Sequence, residues 1–154
     1  MPQSEPIEVR MPTHIGELHL LDRVDYEDAY CAEARIERTP EQWMRAIVEG
    51  APRWFQRAWP AVLGTLGGLQ FGPLDAPDHV LGWQIIDQQP DRFVIGLESS
   101  RGLRVRLVTL VPPGQAIFAT QLELGTTYAR RLWSVVRPAH RFFAPYLLGR
   151  AAQP

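Results

Sequence analysis

The chain has no lysine, no asparagine, a single cysteine and no long hydrophobic run. All 16 basic residues are therefore arginines, which excludes a Schiff-base lysine, a pyridoxal phosphate anchor and a phosphate-loop lysine. Without asparagine there is no N-glycosylation acceptor and no catalytic role for that amide. Cys31 stands alone, so an internal disulfide and a multi-cysteine zinc site are excluded. It has no basic neighbour to activate the thiol and reads as inert. His14, His19 and His79 are far apart and offer no i, i+4 ligand pair, so neither a metal site nor a cofactor is expected. No apolar stretch approaches the roughly 20 residues of a membrane span, and the acidic, proline-containing start is unlike a signal peptide. The expectation is a soluble cytoplasmic protein. A formal charge of −1 with no basic run gives no electrostatic footprint for nucleic acid.

What is present fits one domain, since 154 residues suffice for one real core but are short for two. Residues 1–25, with Pro2, Pro6 and Pro12 among polar neighbours, read as an arm or an extra strand. Residues 26–37 alternate, with Tyr30, Ala32, Ala34 and Ile36 on one side and Glu33, Arg35 and Glu37 on the other, which predicts a half-buried strand. Thr39-Pro40-Glu41-Gln42 then supplies an N-cap, a proline at the first helical position and a glutamine that completes a capping box. A helix should run from there to Glu49, before Gly50. A second short helix from Pro52 carries Trp54, Phe55, Ala58, Trp59, Val62 and Leu63 at helical intervals, with Pro60 distorting it. These aromatics are either core or a lid over a sheet, and burial tendency favours core.

Glycines and prolines between residues 63 and 79 predict a long loop with one short strand near Leu69 and Phe71. Four alternating runs follow, at 80–87, 92–99, 103–111 and 115–124. Their short connections predict an antiparallel meander, and Pro113-Gly114 suits a type II turn. One face would carry Trp83, Ile85, Phe93, Ile95, Leu97, Val105, Leu107, Phe118, Thr120 and Leu122. The other would carry Gln84, Glu98, Arg104, Arg106, Gln121 and Glu123, with the charged residues pairing across strands. The last segment, residues 127–150, is the longest with helical period. Its predicted apolar stripe is Leu132, Val135, Val136, Ala139, Phe142, Phe143, Tyr146 and Leu147, with Arg130, Ser134, Arg137 and Arg141 opposite. Pro138 and Pro145 each remove a backbone donor, which predicts a kinked or segmented helix.

The fold class is thus α+β: a strand, two short helices, an antiparallel meander and a long terminal helix gripped by the sheet. This order, over residues 26–151, resembles the helix-grip fold of the START-like, or SRPBCC, superfamily. Thr39-Pro40-Glu41-Gln42-Trp43, Leu81-Gly82-Trp83, the hairpin carrying Gly96, and Trp133 followed by Arg137-Pro138-Ala139-His140-Arg141 resemble an uncharacterised actinobacterial branch of it. The resemblance implies a hydrophobic cavity between sheet and terminal helix, used in that superfamily to bind lipids, sterols, hormones, polyketides or aromatic compounds, with or without catalysis. Small residues on faces read as inward, including Ala32, Ala34, Gly96 and Ala139, make room for such a void.

The expected function is binding of a small hydrophobic or aromatic molecule, with Trp59, Trp83, Phe93, Phe118, His140 and Phe142 as the lining. One alternative is a polyketide cyclase or dehydratase-like enzyme in the same pocket, with His140 as the acid or base. The other is a partner-binding or homodimerisation module using exposed aromatics such as Trp54 and Phe55. Ser99 and Ser100 lack the surroundings of a nucleophile.

Overall fold

The four-strand meander exists and forms the middle of a larger sheet. The computed structural model describes residues 5–73 and 76–154. Its strands are β1 (Ile7–Val9), β2 (Tyr26–Glu33), β3 (His79–Val80), β4 (Trp83–Gln89), β5 (Arg92–Glu98), β6 (Leu103–Leu110) and β7 (Gln115–Leu124). They make one antiparallel sheet in the order β1-β2-β7-β6-β5-β4-β3. Four helices accompany it: α1 (Thr13–Gly16), α2 (Pro40–Glu49), α3 (Arg53–Thr65) and α4 (Thr127–Ala152).

The turns follow from their residues. Gln115 N–H donates to Pro112 O across Pro113 and Gly114, and Gly114 has φ +75°, the positive value a type II turn needs at its third residue. Strand β2 ends at Glu33, four residues earlier than its alternation predicts, because its partner β7 runs out at that turn: Glu33 pairs with Gln115, the first residue of β7. The run expected as one strand over residues 80–87 is split. Leu81 and Gly82 both adopt positive φ (45° and 85°), which folds β3 back on β4 as a minimal hairpin.

Helix α2 begins as its sequence requires. Gln42 N–H donates to Thr39 Oγ1 at 3.2 Å, and Thr39 N–H donates to Gln42 Oε1 at 2.9 Å, the reciprocal capping box. Trp43, Met44 and Ile47 are buried on its sheet side, and Thr109 Oγ1 donates to Pro40 O at 2.7 Å to hold the helix start on β6. Helix α3 continues through Pro60, and α4 is one unbroken helix through Pro138 and Pro145, so of the kink or break expected in α4 the break does not occur.

The buried face of α4 differs from the predicted stripe. Ala129, Ala144, Leu147, Leu148, Ala151 and Ala152 are buried, whereas Val135 is 76% exposed, Phe142 64% and Tyr146 39%. Small alanines let the helix backbone approach β2 and β7, whereas a count of large apolar residues draws the stripe around too far.

The main core lies between one sheet face, α2 and α4. The opposite face is only partly polar. Val94, Val108, Leu110 and Ala119 form a second cluster there, closed by fully buried Ile15 of α1 with Met11, Leu18 and Leu20 around it. Beside that cluster sits the expected charge ladder: Arg104 and Arg106 each reach Glu98 Oε1 at 3.2 Å. Gly96, expected to face inward, pairs with Arg106 on this outer face. A Cβ at Gly96 would lie 2.6 Å from Arg106 Nη1, so the missing side chain makes room for the guanidinium.

The hydrogen bond from Arg106, helped by Arg104, holds the Glu98 carboxyl below the usual carboxylate range. A lowered folded pKa gives stability that is complete above the unfolded value, near pH 4.3, and is lost as pH falls through the folded one. Melting temperature should fall on acidification below that value, and Glu98→Gln should flatten part of the fall. The part removed should be small, under about 1 kcal/mol, because the Glu98 side chain is 60% exposed.

Candidate functional site

Helix α3 makes no backbone approach to the sheet comparable to those of α2 and α4, and the space beneath it is a cavity of about 120 Å³. Its walls come from α2 (Ile47, Val48), α3 (Phe55, Trp59, Leu63), the strands (Trp83, Leu103, Val105, Leu107, Phe118, Thr120, Leu122) and α4 (Leu132, Trp133, Val136, His140, Phe143, Ala144, Leu147), with Leu69 from the loop after α3. That loop is tied down. Ser99 Oγ donates to Gly67 O, and Tyr128 Oη and Arg101 Nη1 both donate to Leu66 O. Leu69 also makes a bridge to Ser99, where the sequence suggests a short strand.

Four of the six residues expected to line a cavity do so: Trp59, Trp83, Phe118 and His140. Phe93 does not, being fully buried in the core. Phe142 lies on the solvent side of α4, for the reason that shifts the whole stripe. Phe55, grouped with Trp54 as a docking surface, is instead a buried part of the cavity wall. Its ring stacks on Trp59 at 5.5 Å and packs against Phe143 at 4.8 Å. The second helix is therefore neither pure core nor pure lid: Trp54 is 60% exposed, while Phe55 and Trp59 form the inner wall.

One end of this apolar space is polar. Antiparallel pairing sets Tyr26 opposite Leu122, Asp28 opposite Thr120, and Tyr30 opposite Phe118, so these side chains share the inner face. Asp28, with its side chain 1% exposed, accepts at Oδ2 from Tyr26 Oη at 2.6 Å and contacts His140 Nε2 at 3.0 Å. A carboxylate oxygen can only accept, which assigns the proton to Nε2 and leaves Nδ1 as the ring's other nitrogen. Trp133 packs beside them, 4.8 Å from the Tyr26 ring and 5.2 Å from His140. Burial, reinforced by the bond to Asp28, keeps the Tyr26 phenol far above its ordinary pKa, so it remains a donor at any physiological pH. On the outer side, Arg141 Nη1 donates to Tyr26 Oη at 3.1 Å and Nη2 donates to Glu8 at 2.6 Å. A hydrogen-bonded chain therefore runs from edge strand β1 to the cavity wall.

Three buried polar atoms in this group have no protein partner: Asp28 Oδ1, Thr120 Oγ1 and Trp133 Nε1. Buried polar groups are nearly always paired, and each one left alone costs on the order of 1–3 kcal/mol. Thr120 and Trp133 contribute other atoms to the cavity wall, while their two unpaired polar atoms are closed off by neighbouring side chains.

Asp28 is the residue that reading the sequence missed. Its signal was parity, because it has the same even spacing as Tyr30 and Ala32 on a strand whose even positions point inward. Elsewhere, burial raises the Cys31 thiol above its ordinary pKa, in keeping with an unreactive cysteine. Among the described residues, no group of three or more His, Cys, Asp or Glu side chains could hold a metal ion, and no helix is long and apolar enough to cross a membrane.

No family model and no curated protein matches the chain. Solved structures similar to it include a protein from Rhodobacter sphaeroides, at 16% identity and TM-score 0.40 over 80% of this chain and 89% of that one. An uncharacterised protein from Rhizobium leguminosarum has 19% identity and TM-score 0.32, over 83% and 98% of the two chains. A Rhizobium loti protein has 14% identity and TM-score 0.32, over 79% and 96%.

Proposed function

We propose that the protein binds a small hydrophobic or aromatic molecule in the cavity between the sheet, α3 and α4, in the manner of helix-grip proteins of the START-like superfamily. The observation that carries this reading is an apolar cavity of about 120 Å³ walled by α2, α3, α4 and the inner face of the sheet. A dry cavity of about 150 Å³ lined by aliphatic and aromatic groups is enough to hold benzene. Packed cores normally leave few spaces above the size of a water, so one of this size among apolar side chains supports a binding role.

Native mass spectrometry of freshly purified protein tests this. A fraction of the protein should carry excess mass that is released on unfolding, or should acquire it when an aromatic compound is added. A protein with no excess mass and no uptake at millimolar concentrations would contradict the proposal.

A second reading, acid–base catalysis of the cyclase or dehydratase kind, is favoured by the hydrogen bond between Asp28 and His140. A carboxylate that fixes an imidazole's tautomer and orientation leaves the other ring nitrogen to exchange a proton. His140→Ala should then abolish turnover of a bound substrate while leaving binding within a few-fold. Unchanged turnover would remove His140 from that role.

A further inference from the structure

Charge is divided unevenly over the molecule. Helices α3 and α4 carry seven arginines and no Asp or Glu, so all 17 acidic residues belong to the rest of a chain whose net charge is −1. On the sheet the arginines are answered: Arg92 pairs with Asp87, and Arg104 and Arg106 pair with Glu98. Arg57 of α3 and Arg131 of α4 are exposed and make no ion pair among the described residues.

The same two helices hold most of the large hydrophobic side chains left exposed among the described residues. Val135 is 76% exposed, Phe142 64% and Trp54 60%, and Tyr128, Tyr146 and Val62 are exposed as well. On α4, Tyr128, Val135, Phe142 and Tyr146 recur at helical spacing and make one stripe, with Arg131 in it one turn before Val135. On α3, Arg57 follows Trp54 by one turn on the same side. The helices lie side by side, because Phe143 meets Trp54 at 5.9 Å and Phe142 at 5.2 Å, while Leu66 O at the far end of α3 accepts from Tyr128 Oη. Together they present an apolar face interleaved with unanswered positive charge.

An exposed patch of this kind marks an interaction surface. A two-fold dimer through it would set arginine against arginine, with no carboxylate on either helix to answer. An acidic protein surface would meet the arginines but leave the rings against charged groups. A bilayer containing acidic lipids answers both, since its surface potential draws arginines and aromatic rings settle at headgroup depth. No helix is long and apolar enough to cross it, so the contact is interfacial, with α3 and α4 lying along the plane. We propose that the outer face of α3 and α4 docks the protein on anionic lipid bilayers. The inference does not depend on the cavity being occupied.

Co-sedimentation of the full chain with vesicles of phosphatidylglycerol and phosphatidylcholine in equal parts, against phosphatidylcholine alone, tests this. Binding to the anionic vesicles should be at least about tenfold stronger, and should fall about tenfold or more between about 50 and 500 mM NaCl. Arg57→Gln and Arg131→Gln should each weaken it about fivefold, the effect of one charge at such a surface. Trp54→Ser and Phe142→Ser should each weaken it about threefold or more, and the second serves if the first disturbs the rings of the cavity wall. Ile86→Ser, at an exposed site on β4, should leave it unchanged.

Equal binding to neutral vesicles, no binding to either kind, or anionic binding that survives all four substitutions would overturn the proposal. Binding to soluble polyglutamate with none to vesicles would overturn it in favour of an acidic protein partner. A dimer in sedimentation that Phe142→Ser dissolves would overturn it in favour of a second copy of the chain.

Discussion

Asp28→Ala is expected to destabilise the protein by about 3 kcal/mol, the lower end of the range for removing one partner of a buried hydrogen-bonded pair. With roughly 2–4 °C per kcal/mol for a chain of this size, the melting temperature should drop by about 6–12 °C. The loss has two parts. Tyr26 Oη loses its acceptor and, with its raised pKa, cannot dispose of the proton by ionising; His140 Nε2 loses its carboxylate partner. Asp28→Asn keeps the volume and one accepting oxygen, so it should cost about half as much. Pairing Asp28→Ala with His140→Ala in a thermodynamic cycle should give a coupling of about 1–2 kcal/mol, because once Asp28 is gone the imidazole has little left to lose. Additivity within about 0.5 kcal/mol would show that the two groups are neighbours without an energetic bond.

Filling the cavity should have the opposite sign. Ala144 is buried on α4 and borders the void, so in Ala144→Leu the added carbons should enter empty space. At about 0.8 kcal/mol per buried methylene, stability should be unchanged or raised by up to about 2 kcal/mol. Ala129 provides the control. It is equally buried on the same helix but is not part of the cavity wall, so Ala129→Leu should overpack and cost about 1–3 kcal/mol. Ala144→Leu should also weaken uptake of toluene or phenol at least tenfold without harming the fold, the combination that separates a binding cavity from a structural defect. Chemical denaturation of the two variants checks the signs, and equal destabilisation would mean that the space beside Ala144 is already filled.

The fold was legible wherever local chemistry decides geometry. The Thr39–Gln42 capping box, the Pro113-Gly114 turn and the start of β7 at Gln115 all sit where side-chain chemistry places them, and the meander follows from its alternation. Reading was weakest where tertiary packing decides. The rotation of α4 is not legible in its large residues because its close contacts use alanines, so Val135 and Phe142 mark the solvent side rather than the core. The outer apolar cluster leaves no periodic signal because it is completed by Ile15 and Leu18, from a stretch too short to show one. In the candidate site, the resemblance implies the cavity, and four of its aromatic or imidazole side chains follow from strand parity and helix spacing. The polar end does not, because it depends on register: only the pairing of β2 with β7 sets Asp28 beside Thr120, and only the packing of α4 brings His140 to Asp28.

The claim that most of this rests on is an unfilled, accessible space on the α4 side of the sheet. Methyl-resolved NMR during titration with toluene tests it directly. The account predicts saturable shifts at Leu63, Leu122, Leu132 and Val136, which border the cavity, and none at Val94 and Val108, which are buried on the far face of the same sheet. Toluene that moves neither set, or moves both alike, would contradict it.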